Sequence, residues 1–329
     1  MADNDFYAIV ADIGGTNARF SRVELGSLAV DKIAVFPCAG FANLDMALSA
    51  YQKRYGLTNI KHAAIAIACP VTDDRVRMTN LHWQFSISDL QKQLGFKQLQ
   101  VVNDFMAMAM SLPVLTDSET IRIGGGVAEV GKIKVVLGAG TGLGVAHLVP
   151  TADGYLPLPG EAGHCDWAAQ TEQEWFIQRY LARRYGRVSV ERILSGPGLE
   201  NLYMAIAEFR KQKVEPVSAA DIARLASSKL CPLARDAIAQ FFASLGSFAG
   251  DLALSLSAFG GVYIAGGIVP KLLPFMEQSA FRARFEEKGR FCTFNSQIAT
   301  CVVAAEQPGL IGAAAYLKQM MTREHYGIC

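Results

Sequence analysis

The chain has 329 residues, 51% of them hydrophobic and 19% charged, with 31 Lys and Arg against 30 Asp and Glu. That is long for one core and supplies apolar surface for two. A near-neutral balance without any basic block argues against a nucleic-acid partner or an anionic membrane surface. The seven cysteines, at 38, 69, 165, 231, 292, 301 and 329, are scattered and hold no C-x-x-C pair. That suits reduced thiols in a cytosol better than a disulfide framework or structural zinc.

The first six residues are acidic and lack the basic and apolar regions of a signal peptide. Residues 7–11 form a short apolar run leading into Asp12-Ile13-Gly14-Gly15-Thr16-Asn17, and residues 18–23 resume with alternation, so strand, glycine turn and strand make a hairpin. Residues 41–55 put Leu44, Leu48 and Tyr51 at helical spacing before a glycine stop at Gly56. Residues 62–68 read as a strand, followed by a polar loop with Thr79-Asn80. Residues 86–94 read as a helix capped by Ser86 or Ser88 and ended by Gly95.

The next apolar run, Leu99-Gln-Val-Val-Asn103-Asp104, ends abruptly in an amide and a carboxylate, and a helix follows until Pro113. A carboxylate between strand and helix serves either as a general base held over a crevice or as an N-cap for the orphan N–H groups of the first turn. The local sequence leaves both open, with Asn103 as the other candidate cap.

Past Pro113 the pattern restarts. Residues 134–137 lead into Gly138-Ala-Gly140-Thr141-Gly142-Leu-Gly144, and 145–149 continue as a strand. With Thr16 set over Thr141, two strand, glycine-turn, strand units stand 125 residues apart. Such a repeat implies a duplicated domain, with chance similarity of two hairpins as the alternative. An irregular Pro/Gly segment, 156–164, carries Glu161 and His164. Thr171-Glu-Gln-Glu174 is a capping box opening a helix that stops at Gly186. Residues 188–191 read as short and extended, and Ser195-Gly-Pro197-Gly introduces another helix. Residues 236–259 show a core stripe, 262–265 a strand, Gly266-Gly267 a turn, with Pro270 in the first turn of the next helix. Residues 298–304 read as a strand, and a final helix starts near Gly309. Residues 252–270 lack charge over nearly a membrane-spanning length. Their glycines and changing periodicity predict instead a buried helix ending at Gly260, a strand and a turn in a soluble core.

Two nucleotide motifs fail. Gly126-Val-Ala-Glu-Val-Gly131-Lys132 has Ile133 where a P-loop needs Ser or Thr, and it precedes a strand; it reads as a hairpin turn. In the Gly138 to Gly144 run Leu143 replaces the third glycine of a dinucleotide loop. The turns still suit phosphate, since glycines let backbone N–H groups converge on an anion and a threonine hydroxyl adds a donor. Asp12 makes sense beside them if it holds Mg²⁺, directly or through water. An ordinary tight hairpin is the alternative for each turn; two Gly-Thr turns, with Gly266-Gly267 at a helix N-terminus, favour phosphate.

Asp12-Ile-Gly-Gly-Thr-Asn-Ala-Arg19, Val102-Asn103-Asp104, Gly138-Ala-Gly-Thr-Gly-Leu-Gly144, Gly160-Glu-Ala-Gly-His164, Glu191-Arg-Ile-Leu-Ser-Gly-Pro-Gly198 and Ile264-Ala-Gly-Gly-Ile-Val-Pro270 occur in this order. Together they resemble bacterial ATP-dependent glucokinases, from about residue 6 to the final helix. The resemblance implies a two-lobed α/β fold of the actin-like ATPase (ribonuclease H-like) type with an interlobe cleft. Its lobes would be 1–112 plus 305–329, and 113–304. It implies phosphorylation of glucose at the 6-hydroxyl by ATP, with Asp104 as general base. Asn103, Asp104, Glu161, His164 and Glu191 would bind the sugar. Ala11, Asp12, Ile13, Gly14, Gly15 and Thr16 would hold nucleotide phosphate with Gly138, Gly140, Thr141 and Gly142. Asp12 would take Mg²⁺, and Gly266 and Gly267 would pass the nucleoside. A cytoplasmic, homodimeric enzyme of glycolysis is implied, with no nucleic-acid or membrane partner.

In the related ROK family a histidine near His164 joins a cysteine cluster in binding zinc. No such cluster follows His164, so no zinc is expected. Three rivals remain: a kinase for another hexose or a hexosamine, a sugar-responsive regulator, and an actin- or chaperone-like ATPase. The regulator would need a DNA-binding module before Asp12, and the ATPase has no use for Glu161, His164 and Glu191.

Overall fold

The computed structural model describes residues 6–79, 81–228 and 231–326; most of the acidic N-terminus, Asn80 and Cys329 lie outside the described residues. In chain order the elements are β1 (Tyr7–Ile13), β2 (Asn17–Glu24), β3 (Val30–Pro37), α1 (Leu44–Tyr55), β4 (His62–Ile67), β5 (Arg75–Arg77), β6 (Gln84–Ser86), α2 (Ile87–Leu94), β7 (Gln98–Asn103) and α3 (Asp104–Ser111). Then come β8 (Thr120–Gly124), β9 (Lys134–Ala139), β10 (Leu143–Thr151), β11 (Gly154–Gly160), α4 (Glu172–Tyr185), α5 (Gly196–Phe209), α6 (Ala219–Ser227) and α7 (Pro232–Leu256). The last are β12 (Val262–Ala265), α8 (Leu273–Glu277), α9 (Phe281–Glu286), α10 (Cys292–Ser296), β13 (Thr300–Val303) and α11 (Pro308–Tyr326).

The chain divides into two compact units. The first takes residues up to Thr116, Pro150–Pro159, and those from Ala305; the second takes Asp117–Val149 and Gly160–Ala304. The expected lobes did not include the 150–159 segment in the first. What ties it there is Gln319 of α11, whose Oε1 accepts from the Tyr155 N–H at 2.8 Å and whose Nε2 donates to the Tyr155 carbonyl at 2.8 Å.

In the first unit a five-stranded sheet runs β3-β2-β1-β4-β7. β1 and β2 pair antiparallel, while β4 joins β1, and β7 joins β4, in parallel. Strand alternation distributes β1 to two cores. Ile9, Ala11 and Ile13 pack with Leu44, Leu48, Tyr51 and Leu90 of α1 and α2. Ala8 and Val10 pack with Leu310, Ala313, Ala314 and Leu317 of α11. A central strand clad on both faces has no solvent edge, which suits an anchor for site residues at its end. Each fully buried leucine here contributes roughly 1.5–3 kcal/mol.

The second unit's sheet runs β11-β10-β9-β12-β13-β8. Its first five strands repeat the order of the first sheet, β9 and β10 antiparallel, β12 and β13 parallel to β9. The 125-residue repeat is therefore a repeated topology, with a glycine turn after the first strand of each half.

Several elements differ from their expected form. The Gly126 to Lys132 stretch is not a hairpin turn, because β8 pairs with β13 at the sheet edge and not with β9. The segment expected to be irregular is strand β11 through Gly160, tolerated with Pro157 and Pro159 because it lies at the sheet edge. Residues 190–192 form a 3-10 turn, not an extended piece. Helix α7 begins at Pro232 and ends at Leu256, where Ser257 takes a left-handed conformation at φ 51°. That helix is long and apolar enough to cross a membrane by composition, yet 15 of its 25 residues are buried in the second unit's core.

Candidate functional site

The first unit places Asn103 at the carboxyl end of β7 and Asp104 as the opening residue of α3. Asn103 is the cap. Its backbone is extended (φ −61°, ψ 147°), and its side chain accepts from the N–H groups of Phe105 at 2.9 Å and Met106 at 3.4 Å. Its amide donates to the Cys69 carbonyl at 3.3 Å and to Asp104 Oδ1 at 2.9 Å. Asp104 Oδ1 also accepts from Phe105 N–H at 2.9 Å, so that carboxylate oxygen is held in place. Burial, and next the charge of Asp12, raise the Asp104 carboxyl to about 6; the hydrogen bonds to its ionised form oppose this.

Asp12 lies on β1, two residues before the glycine turn, directly opposite Arg19 in the hairpin register. Arg19 Nη1 stands 3.9 Å from its Oδ2. Burial raises the Asp12 carboxyl, and the Arg19 charge lowers it in part. The turn is closed by Gly14 N–H on the Asn17 carbonyl at 3.0 Å and backed by Cys38 N–H on the Thr16 carbonyl at 2.8 Å. Gly15 and Thr16 are exposed, whereas the side chains of Ala11 and Ile13 are fully buried, so those two have only backbone to offer a ligand.

In the second unit Glu161 and His164 are exposed and flank a 3-10 turn, Ala162–His164, closed by His164 N–H on the Glu161 carbonyl at 2.9 Å. Arg187 donates to the His164 carbonyl. Glu191 sits in the 3-10 turn Val190–Arg192, and its Oε2 accepts from Leu143 N–H at 2.9 Å. The second glycine turn is pinned from below: Gly140 N–H donates to the Gly142 carbonyl, and Gly196 N–H to the Gly140 carbonyl, both at 2.8 Å. Thr141 and Gly267 are exposed. Gly138 and Gly266 have a reason of their own, since a Cβ on Gly138 would come within 2.8 Å of the Ala265 backbone and one on Gly266 within 2.5 Å of the Ala139 carbonyl. A 3-10 turn, Val269–Leu272, and the five-residue α8 follow Gly266-Gly267 where a longer helix was expected.

Two residues beside Asp12 carry no role in the sequence reading. Arg19 supplies the cation opposite it, and period-two hairpin register would have found it. Gly309, in the first turn of α11, leaves room for the carboxylate, for a Cβ there would lie 3.3 Å from Asp12 Oδ2.

Comparison with known proteins gives a consistent answer. A family model described as Glucokinase matches residues 9–320. The glucokinase of Yersinia enterocolitica is 44% identical over 315 residues, 96% of this chain and 97% of that protein. The structure of a glucokinase from an Antarctic psychrotroph matches with a TM-score of 0.86 at 37% identity, covering 95% of this chain and 98% of its own. A Balamuthia mandrillaris glucokinase in complex with glucose matches at 0.79 and 21% identity, covering 95% and 93%, and adds support for the fold alone. The fold is the two-unit α/β architecture of actin-like ATPases.

Proposed function

Since the chain belongs to the glucokinase family and is a kinase for glucose, we propose that it transfers the γ-phosphoryl group of ATP in line to the 6-hydroxyl, with Asp104 as general base. The observation that carries this reading is the Asp104 carboxylate itself. One oxygen is held by Phe105 and Asn103, and its proton affinity is raised to about 6. A base titrating just below neutrality is ionised at working pH yet basic enough to accept a hydroxyl proton as the bond to phosphorus forms.

Asn103, Glu161, His164 and Glu191 bind sugar hydroxyls, which carboxylates and amides recognise through several hydrogen bonds each. Gly14, Gly15 and Thr16, with the backbone of Ala11 and Ile13, hold phosphate, as does the Gly138, Gly140, Thr141 and Gly142 turn. Gly266 and Gly267 pass the nucleoside. Asp12 holds Mg²⁺, directly or through water. Two partly buried carboxylates near one another, offset by a single guanidinium at 3.9 Å, form a negatively biased place that a divalent cation relieves. The ion would neutralise phosphate charge. The reading also takes the enzyme to be cytoplasmic, homodimeric and part of glycolysis.

Two measurements test it. With MgATP alone the protein should release little ADP, and adding glucose should yield ADP and glucose 6-phosphate in equal amounts; sugar-independent ADP release would sink the reading. Mannose, fructose and N-acetylglucosamine in the same assay define the sugar range. The second is a pH profile. A carboxylate base with a pKa of about 6 loses its ionised form as pH falls, so kcat/KM at pH 5 should be about one tenth of its value at pH 7. A flat profile over that interval would remove Asp104 from the role.

A further inference from the structure

The glycine at 142 is spared a side chain for a reason unlike that at 138 or 266. A methyl group on Gly142 would stand 2.6 Å from Glu191 Oε2 and 3.4 Å from its Cδ, and among the described residues nothing else lies within 4 Å. The neighbour in the way is thus the tip of one side chain, not backbone. The next N–H in the chain, that of Leu143, donates to the same Oε2 at 2.9 Å. Glu191's own backbone is anchored on its other side. Ser195 Oγ donates to its carbonyl at 2.8 Å, and Gly198 packs where a Cβ would lie 3.1 Å from that oxygen.

We propose that Gly142 is a positioning residue for Glu191: its missing side chain and the adjoining Leu143 N–H together fix where the sugar-binding carboxylate stands. The second glycine turn then serves the sugar as well as phosphate, and this rests on the reading of Glu191 as a glucose ligand. Gly142 does not occupy the left-handed backbone region, so alanine is tolerated there by the main chain. The predicted response is displacement of the Glu191 carboxylate alone.

The test is steady-state kinetics of the full chain, with glucose and MgATP varied separately. Gly142→Ala should raise KM for glucose by about ten- to a hundredfold, the cost of a lost charged hydrogen bond, and by far more than it raises KM for ATP. Glu191→Ala should give a similar rise. Adding Gly142→Ala to Glu191→Ala should leave KM for glucose where the single Glu191→Ala change puts it, because the clash has gone. A rise confined to ATP, additive effects in the double variant, or a Gly142→Ala chain that fails to fold would each overturn the proposal while wild-type turnover of glucose stood. Absence of that wild-type turnover would overturn the glucose reading, and the proposal with it.

Discussion

Asp104→Asn is expected to lower kcat by about 10²- to 10⁴-fold while leaving the protein folded. The change removes the proposed proton acceptor and keeps the shape. An asparagine Oδ1 still accepts from Phe105 N–H, and the helix start is untouched because Asn103, not Asp104, caps α3. Stability should not fall either. A carboxyl whose folded pKa lies above its unfolded value favours the protonated form, and that benefit is lost as pH rises through about 6. At pH 8 the ionised wild-type residue therefore weighs against folding, and the neutral asparagine should match or exceed the wild-type melting temperature. Thermal melts at pH 8 alongside kcat separate the roles: near-normal turnover would leave Asp104 a mere helix-opening residue, and a collapsed melting temperature would make it structural.

Arg284→Met should destabilise the second unit by about 3–5 kcal/mol, the largest effect on stability expected away from the site. Glu174 is only 1% exposed, and Arg284 reaches it with two nitrogens, Nη1 to Oε1 at 3.1 Å and Nη2 to Oε2 at 3.2 Å. The carboxylate also closes the capping box of α4, accepts from Gln170 N–H at 2.7 Å, and takes Gln240 Nε2 at 2.7 Å, so it ties α4 to α7 and α9. Without the guanidinium a buried charge loses its counter-ion. Denaturant melts at pH 8 should show the loss, and Glu174→Gln in the same chain, which removes the unpaired charge and keeps the shape, should restore more than half of it. No recovery in the double variant would make Arg284 a packing residue only.

Local chemistry made much of this legible in advance. Ser86 caps α2 through Asp89 N–H, Gly56 and Gly95 end α1 and α2 in the left-handed conformation, and Thr171-Glu174 is a capping box in fact. Each such signal acts within four residues, so sequence carries it whole. Asn103 against Asp104 was not separable, because both side chains accept from the same turn and only the backbone angles decide. Helices α9 and α10, six and five residues long, are too short to show a period. They are held instead by Arg282, which donates to the carbonyls of Asn295, Ser296 and Ile298. The site's least visible link is between Leu143 and Glu191, 48 positions apart. Glycine-rich spelling pointed to phosphate for Gly138, Gly142 and Gly266 alike, although the close approach of β9 to β12 demands two of them and a carboxylate the third.

The apolar face that Ala8, Val10, Ala64 and Ala66 present is completed only by α11, whose Gly312 leaves no room for a Cβ against the Ala107 carbonyl, at 1.7 Å. The last strand of the first sheet ends at Asn103 and that helix starts at Pro308, about 200 residues later. At about 5–20 residues per second, a ribosome would hold the sheet half-clad for roughly 10–40 s. The strands and helices of the second unit are all synthesised before then. In the growing chain one face of the first strand to emerge is among the last surfaces to be covered, and that interval is when a chaperone would find it.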